Sequence, residues 1–224
     1  MAKTFFITGT DTDAGKTRVA CALLAAGRAQ GLSTAALKPV AAGVSETPAG
    51  RCNGDVASLL QYCQPELSID AINPFCFDEP IAPHIAAENT GTRLSVHDIA
   101  TRCQPVLAQK ADLTLVEGAG GWKVPVNDTD TLADLVKALE LPVILVVGMK
   151  LGCLNHALLT AQAIAADGLQ LAGWIANRVD PDMLYYQENL ETLTRRLQAP
   201  LFAELPRLEA ADSGAGFIDL SRLP

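Results

Sequence analysis

The chain is short of basic residues: 17 Lys plus Arg stand against 25 Asp plus Glu, a formal charge of −8. A nucleic-acid binder needs an excess of cations on one face to displace counterions from phosphates, so that class is excluded. No apolar run approaches the roughly 18 to 20 residues that span a bilayer. The first residues pass straight into Lys3-Thr4-Phe5-Phe6-Ile7, without the charged region, apolar stretch and small-residue cleavage site of a signal peptide. The expectation is a cytoplasmic protein with neither a membrane nor a nucleic-acid partner. Cysteine is thinly spread: Cys21, Cys52, Cys63, Cys76, Cys103 and Cys153 contain no C-x-x-C pair, and the three histidines add no metal-ligand spacing. These cysteines read as small buried hydrophobes rather than ligands, bridges or nucleophiles.

What is present is an apolar half. With 49% hydrophobic and 19% charged residues in 224, the chain can bury a core, and disorder is excluded. That length suits one domain, 1–224, with an elaborated insertion at about 40–90. Phe5 to Gly9 reads as a short buried strand, and Val19, Ala20, Leu23, Leu24 and Gly27 recur at helical spacing before Gly31. Thr34 to Leu37 reads as a strand that stops at Lys38-Pro39. The Pro-, Gly- and Asn-rich segment that follows carries one helix near Asp55 to Tyr62. Further on, a helix over 95–109 precedes a strand ending at Glu117, and a helix over 131–139 precedes the β-branched run Pro142 to Gly148. A helix over 154–166, a strand over 171–176, a helix marked by Leu190, Leu193 and Leu197, and a strand from Pro200 to Ala203 complete the pattern. Gly214-Ala215-Gly216 reads as a loosely ordered tail.

Strands alternating with helices predict an α/β fold: a P-loop NTPase-like three-layer arrangement with a mainly parallel sheet between helices. Ligands of such sheets bind at the carboxyl ends of the strands. That rule gathers Gly9 to Thr17, Lys38, Glu117 to Gly121, Gly148 to Leu154 and Asn177 along one edge.

Gly9-Thr10-Asp11-Thr12-Asp13-Ala14-Gly15-Lys16-Thr17 sits between the first strand and first helix and approaches G-x-x-x-x-G-K-[ST], except that Thr10 stands where the pattern has its first glycine. In such a loop the backbone N–H groups and the helix end cradle phosphates, the lysine reaches the β and γ phosphates, and the hydroxyl of Thr17 ligates Mg²⁺. Nucleotide binding is the expectation. Asp11 and Asp13 have the wrong sign for a polyphosphate. Asp11 reads as a solvated loop residue, whereas Asp13 is open to a second role facing a cation or a substrate amine. Glu117, at a strand end before Gly118-Ala119-Gly120-Gly121, occupies the place of a Walker-B-like acid, and Asp55 is a weaker metal candidate. Lys38 projects toward the same edge as Lys16, where two lysines would neutralise charge during phosphoryl transfer. His84, His97 and His156 lack ligand partners. Trp122 is open between lining the pocket and plain packing.

The phosphate loop, Lys38-Pro39-Val40-Ala41, Val116-Glu117-Gly118-Ala119-Gly120-Gly121-Trp122, Lys150-Leu151-Gly152-Cys153-Leu154-Asn155-His156-Ala157 and Gly173-Trp174-Ile175-Ala176-Asn177 together resemble the dethiobiotin synthetase family, in order and spacing up to about Pro206. The resemblance implies a ligase of biotin synthesis in which 7,8-diaminopelargonate, CO₂ and ATP give dethiobiotin, ADP and phosphate through a carbamate. It implies Lys38 and Lys16 as catalytic cations and Thr17, Asp55 and Glu117 as Mg²⁺ ligands. ATP contacts would come from Asp13, Ala14, Gly15, Lys16, Thr17, Arg18, Asp55 and Glu117 to Gly120, and from Asn177, Arg178, Pro206, Arg207 and Leu208 around the adenine. Substrate contacts would come from Thr12, Lys38, Ala42 and Gly118, and from Gly152 and Asn155 of a partner subunit, making the enzyme a homodimer. Two positions depart from the family: Asp13 stands for the usual Glu, and Ala42 for the usual Ser. Asn155 is also open to a helix-capping reading. The alternatives are a P-loop switch ATPase of the partition or cell-division type and a paralogue acting on another diamine. The switch proteins carry an extra lysine early in the loop, where Asp11 to Asp13 stand here.

Overall fold

The computed structural model describes residues 2–209 and 212–224. Ten strands are described: β1 Lys3–Gly9, β2 Thr34–Leu37, β3 Val40–Ala42, β4 Ser45–Thr47, β5 Gly50–Cys52, β6 Phe75–Phe77, β7 Leu113–Glu117, β8 Val143–Gly148, β9 Leu171–Asn177 and β10 Leu201–Leu205. Eight α-helices accompany them: α1 Lys16–Ala29, α2 Gly54–Leu60, α3 Ile69–Ile72, α4 Pro83–Asn89, α5 Val96–Leu107, α6 Leu132–Leu139, α7 Cys153–Ala166 and α8 Tyr186–Arg196. The central sheet runs β10-β9-β8-β1-β7-β2, with every neighbouring pair parallel.

The continuous apolar strands follow from burial on both faces. Along β8, Ile144 and Val146 join one cluster with Phe5, Leu23 and Leu115, while Leu145 and Val147 join a second with Trp174 and with Leu190 and Leu193 of α8. Period-two alternation therefore fills both layers from one strand. The chain leaves β1 for the β2 edge, returns through β7 and then crosses to β8 on the other flank of β1. The order thus reverses at β1, and the loop after β1 opens where such sheets bind ligands.

The 40–90 segment holds more structure than one helix. β3 pairs in parallel with β6, β4 and β5 form a small antiparallel hairpin, α4 packs on β3 and β6, and α2 packs on β4. Short strands that close only through long-range pairing leave little periodic signal. Asn53 organises this segment. Its side chain accepts from the Asp55 N–H at 3.0 Å, capping α2, and its Nδ2 donates to the carbonyls of Ala42 and Gly43 at 3.2 and 2.8 Å. The end of β3 and the start of α2 are thereby held together.

The tail departs from expectation. Ala215–Phe217 forms a 3₁₀ turn, Leu220 and Leu223 are buried, and Lys3 Nζ donates to the Leu223 carbonyl at 2.6 Å. No helix among the described residues is long and apolar enough to cross a membrane.

Candidate active site

The loop after β1 turns into α1 through Gly15, whose φ of +84° lies in the left-handed region. A Cβ there would lie 2.1 Å from Asn177 Nδ2, so glycine is required for space as well as for conformation. Asn177, buried at the end of β9, donates that amide to the Ala14 carbonyl at 2.9 Å and props the loop from beneath. Lys16 Nζ lies under the loop, donating to the carbonyls of Asp11 and Thr12 at 3.0 and 3.3 Å.

Lys38 leaves β2 toward the same edge, and its backbone is pinned from both sides. Its N–H donates to the Ile72 carbonyl at 2.8 Å, and its own carbonyl accepts from Asn73 Nδ2 at 2.6 Å. Its ammonium meets Glu117 Oε1 at 2.6 Å, Asp55 Oδ2 at 2.8 Å and the Gly118 carbonyl at 3.3 Å. Thr17 Oγ1 donates to the same Glu117 oxygen at 2.7 Å. Lys38 and Glu117 are buried, and Glu117 Oε2 makes no hydrogen bond among the described residues. A buried carboxylate oxygen without a donor is costly, and an oxygen-seeking cation at that point would satisfy it.

The electrostatics follow from this crowding. Burial lowers the Lys16 pKa, and the nearby Lys38 charge lowers it further against the attraction of Glu117, Asp55 and Asp11. Burial alone would lower Lys38 as well, but Glu117 and Asp55 outweigh it and hold its ammonium above the ordinary value. Asp55 is raised by burial, yet Lys38 and Thr17 bring it below the usual carboxylate value. Lys38 is therefore a permanent cation at the lip of the phosphate loop.

These groups open into a cavity of about 870 Å³. Of the residues expected at the site, Thr12, Asp13, Gly15, Lys16, Thr17, Lys38, Ala42, Asp55, Glu117, Ala119 and Gly120 line it. Gly118 lies just behind, since a Cβ there would meet the Phe6 ring at 2.8 Å. Ala14 is buried beneath the loop. Asn177, Arg178 and Pro206 to Leu208 stand at or just beyond the carboxyl ends of β9 and β10, outside the cavity lining. The Arg178 guanidinium lies over the Tyr186 ring at 4.7 Å, and that of Arg18 bonds the Glu209 carbonyl. Gly152 and Asn155 lie at the start of α7, away from the lining. Gly152 is the N-cap there, with no side-chain cap bond, so the capping reading of Asn155 does not hold.

Two further readings are corrected, those of Asp11 and Cys76, and the open one at Trp122 is decided. Asp11 is not a free solvated acid: its Oδ2 meets Lys150 Nζ at 2.6 Å. Trp122 is packed rather than lining the cavity, with its ring edge-on to Phe6 and its Nε1 donating to Asp167 Oδ2 at 2.7 Å. Cys76 is exposed, unlike the other five cysteines. Sequence reasoning missed the apolar part of the cavity lining, from Pro80, Ile81, Pro83, Val124 and Pro125. The Pro-rich composition of 80–83 was its one sequence signal.

A family model described as an AAA domain matches residues 3–214. Among solved structures, the septum site-determining protein MinD with Mg-ADP from Pyrococcus horikoshii OT3 superposes with a TM-score of 0.58 at 16% identity, covering 97% of this chain and 93% of that one, which shows the shared fold alone. Sequence relatives are far nearer. The ATP-dependent dethiobiotin synthetase BioD of Pseudomonas aeruginosa strain UCBPP-PA14 is 54% identical over 211 residues, 94% of this chain and 92% of that protein. The proteins of that name from Cellvibrio japonicus and, as BioD 1, from Escherichia coli O157:H7 are 52% and 49% identical, over 99% and 93% of this chain and 97% and 92% of theirs. Identity near one half over more than nine-tenths of the chain puts the matter plainly: the chain belongs to the ATP-dependent dethiobiotin synthetase family.

Proposed function

We propose that this chain closes the ureido ring of dethiobiotin: 7,8-diaminopelargonate, CO₂ and ATP give dethiobiotin, ADP and phosphate. One amine of the diamine attacks CO₂, forming an N–C bond and losing a proton to give a carbamate. A carbamate oxygen attacks the γ phosphorus and ADP departs. The second amine then attacks the carbamoyl carbon and gives up a proton, and phosphate leaves as the ring closes.

The observation that carries this reading is the buried Lys38 ammonium beside the phosphate loop, 2.6 Å from Glu117 and 2.8 Å from Asp55. Carbamate and triphosphate repel each other, and a fixed cation offsets that repulsion without reorganising as the phosphoryl group moves. Lys16 exchanges its loop carbonyls for phosphate oxygens. Thr17, Asp55 and Glu117 are the residues that would hold Mg²⁺, a donor set of hydroxyl and carboxylates suited to a hard cation that shares its shell with phosphates. Such an ion would supply charge neutralisation to the phosphates.

In this reading the apolar wall from Pro80 to Pro83, with Val124 and Pro125, receives the alkyl chain of the diamine. Thr12 and the Gly118 backbone meet its amines, and Asp13 faces them or the ATP. Asn177, with its nitrogen on Ala14, offers Oδ1 to the adenine, flanked by Arg178 and Pro206 to Leu208. The segment at about 40–90 acts as the substrate-side insertion of a single domain. We further infer a cytoplasmic homodimer, with Gly152 and Asn155 reaching the partner's substrate. Its support is the apolar surface on and near α7: Leu151 is 96% exposed, and Leu159, Leu184 and Tyr185 are also exposed.

The test is ADP release with Mg²⁺, with and without 7,8-diaminopelargonate and bicarbonate. Release strictly dependent on both supports the ligase. Release that ignores the diamine and responds to DNA or lipid would instead support a switch ATPase.

A further inference from the structure

The segment after β8 grips the phosphate loop from its flank. Gly148 N–H donates to Thr10 Oγ1 at 3.3 Å, and a Cβ on Gly148 would lie 2.9 Å from Ala14 Cα, so loop and strand end touch directly. Two residues on, Lys150 Nζ meets Asp11 Oδ2 at 2.6 Å, the two side chains being 37% and 29% exposed. The other Asp11 oxygen, Oδ1, is buried and makes no hydrogen bond among the described residues. The Asp11 backbone carbonyl is one of the two that hold Lys16 Nζ.

A carboxylate in a loop meant for a polyphosphate carries the wrong sign, and a cation paired with it offsets the repulsion. Lys150 is placed to do so. Its second effect is geometric: holding Asp11 by its side chain sets where the Asp11 carbonyl points, and so where the Lys16 ammonium waits. We propose that Lys150 is a positioning residue for nucleotide capture, cancelling the Asp11 charge and fixing the loop carbonyls that hold Lys16. This rests on the ATP-dependent reading of the site. It concerns binding of the nucleotide rather than the movement of the phosphoryl group, which falls to Lys38.

The experiment compares K150Q, K150R, D11N and the double variant D11N/K150Q. It reads direct binding of a non-hydrolysable ATP analogue with Mg²⁺, together with KM for ATP and kcat in the presence of diamine and bicarbonate. K150Q leaves a half-buried carboxylate unpaired against an anion, so analogue affinity and KM for ATP should worsen by about tenfold while kcat moves by less than about threefold. K150R should recover most of the loss; D11N/K150Q should recover only part of it, because no bare carboxylate then remains but the tether that fixes the loop carbonyls is still missing. K150Q binding the analogue within about twofold of the parent would overturn the proposal. So would a double variant no better than K150Q, because cancelling the Asp11 charge would then not be what Lys150 contributes. A parent protein that binds the analogue yet releases no ADP on adding diamine would overturn the proposed reaction and leave the binding comparison standing.

Discussion

Replacing Lys38 by alanine separates folding from chemistry at this site. In the parent, Lys38 and Glu117 are 3% and 1% exposed, with 2.6 Å between ammonium and carboxylate. Deleting one partner of a buried pair costs about 3–5 kcal/mol, because the other charge stays buried and unmatched. Asp55 adds little, since its side chain is 43% exposed and water screens it. For a chain of this size each kcal/mol moves the melting temperature by roughly 2–4 °C, so Lys38→Ala should melt about 6–20 °C lower. Thr17 still donates to Glu117 and favours the lower half of that range. Adding Glu117→Gln should return more than half of the loss, because the orphaned charge is gone. Chemistry should not return with it: losing a preorganised cation aimed at developing charge costs about 100- to 1,000-fold in kcat. KM for ATP should change by less than about threefold, since Lys16 and the loop backbone bind the phosphates. Scanning fluorimetry and coupled ADP release read the two effects separately. A single variant that melts with the parent and keeps its kcat would refute the argument, as would a rise in KM for ATP that accounts for the whole loss in kcat/KM.

Gly15→Ala places a Cβ 2.1 Å from Asn177 Nδ2 at a φ of +84°, so it should abolish measurable nucleotide binding, in calorimetry, while leaving most of the circular-dichroism spectrum intact. Ala42→Ser adds a hydroxyl at the cavity wall beside Asn53, where one added hydrogen bond is worth about 0.5–1.5 kcal/mol; KM for the diamine should fall roughly two- to tenfold in steady-state assays, with KM for ATP unchanged. Iodoacetamide at pH 8 should label Cys76 before any other cysteine, because burial raises Cys21 and Cys103 to about 12 and Cys63 to about 11; peptide mass spectrometry showing Cys103 labelled first would contradict the packing described here.

Much of this molecule was legible before any coordinates, and the reason is local. Each core strand is a short apolar run next to a helix-spaced pattern, so the six strands of the main sheet and the helices between them emerge from spacing alone. The phosphate loop is legible for the same reason: its glycine, lysine and hydroxyl are consecutive. Pro39 after Lys38 marks where β2 stops, and so where the lysine projects.

What resisted the sequence depends on partners far along the chain. Asp11 and Lys150 are separated by most of the protein, and only the adjacency of β1 and β8 makes their charges a pair. Trp122 found its partner in Asp167, and the tail found its place against α1 and Lys3, through contacts no window of residues contains. Asn53 joins β3 to α2 by side-chain bonds whose acceptors were unknowable until the backbone had turned.

The amino-acid order by itself determined which elements of the main sheet and its flanking helices form and which residues carry charge at the ends of those strands, because backbone periodicity and turn chemistry act over a few residues. Tertiary structure alone decided which charges meet. Burial removes the water that would otherwise screen them, so two ammoniums and two carboxylates become one cluster only when β1, β7 and β2 stand side by side and Asn53 ties α2, which carries Asp55, to the end of β3.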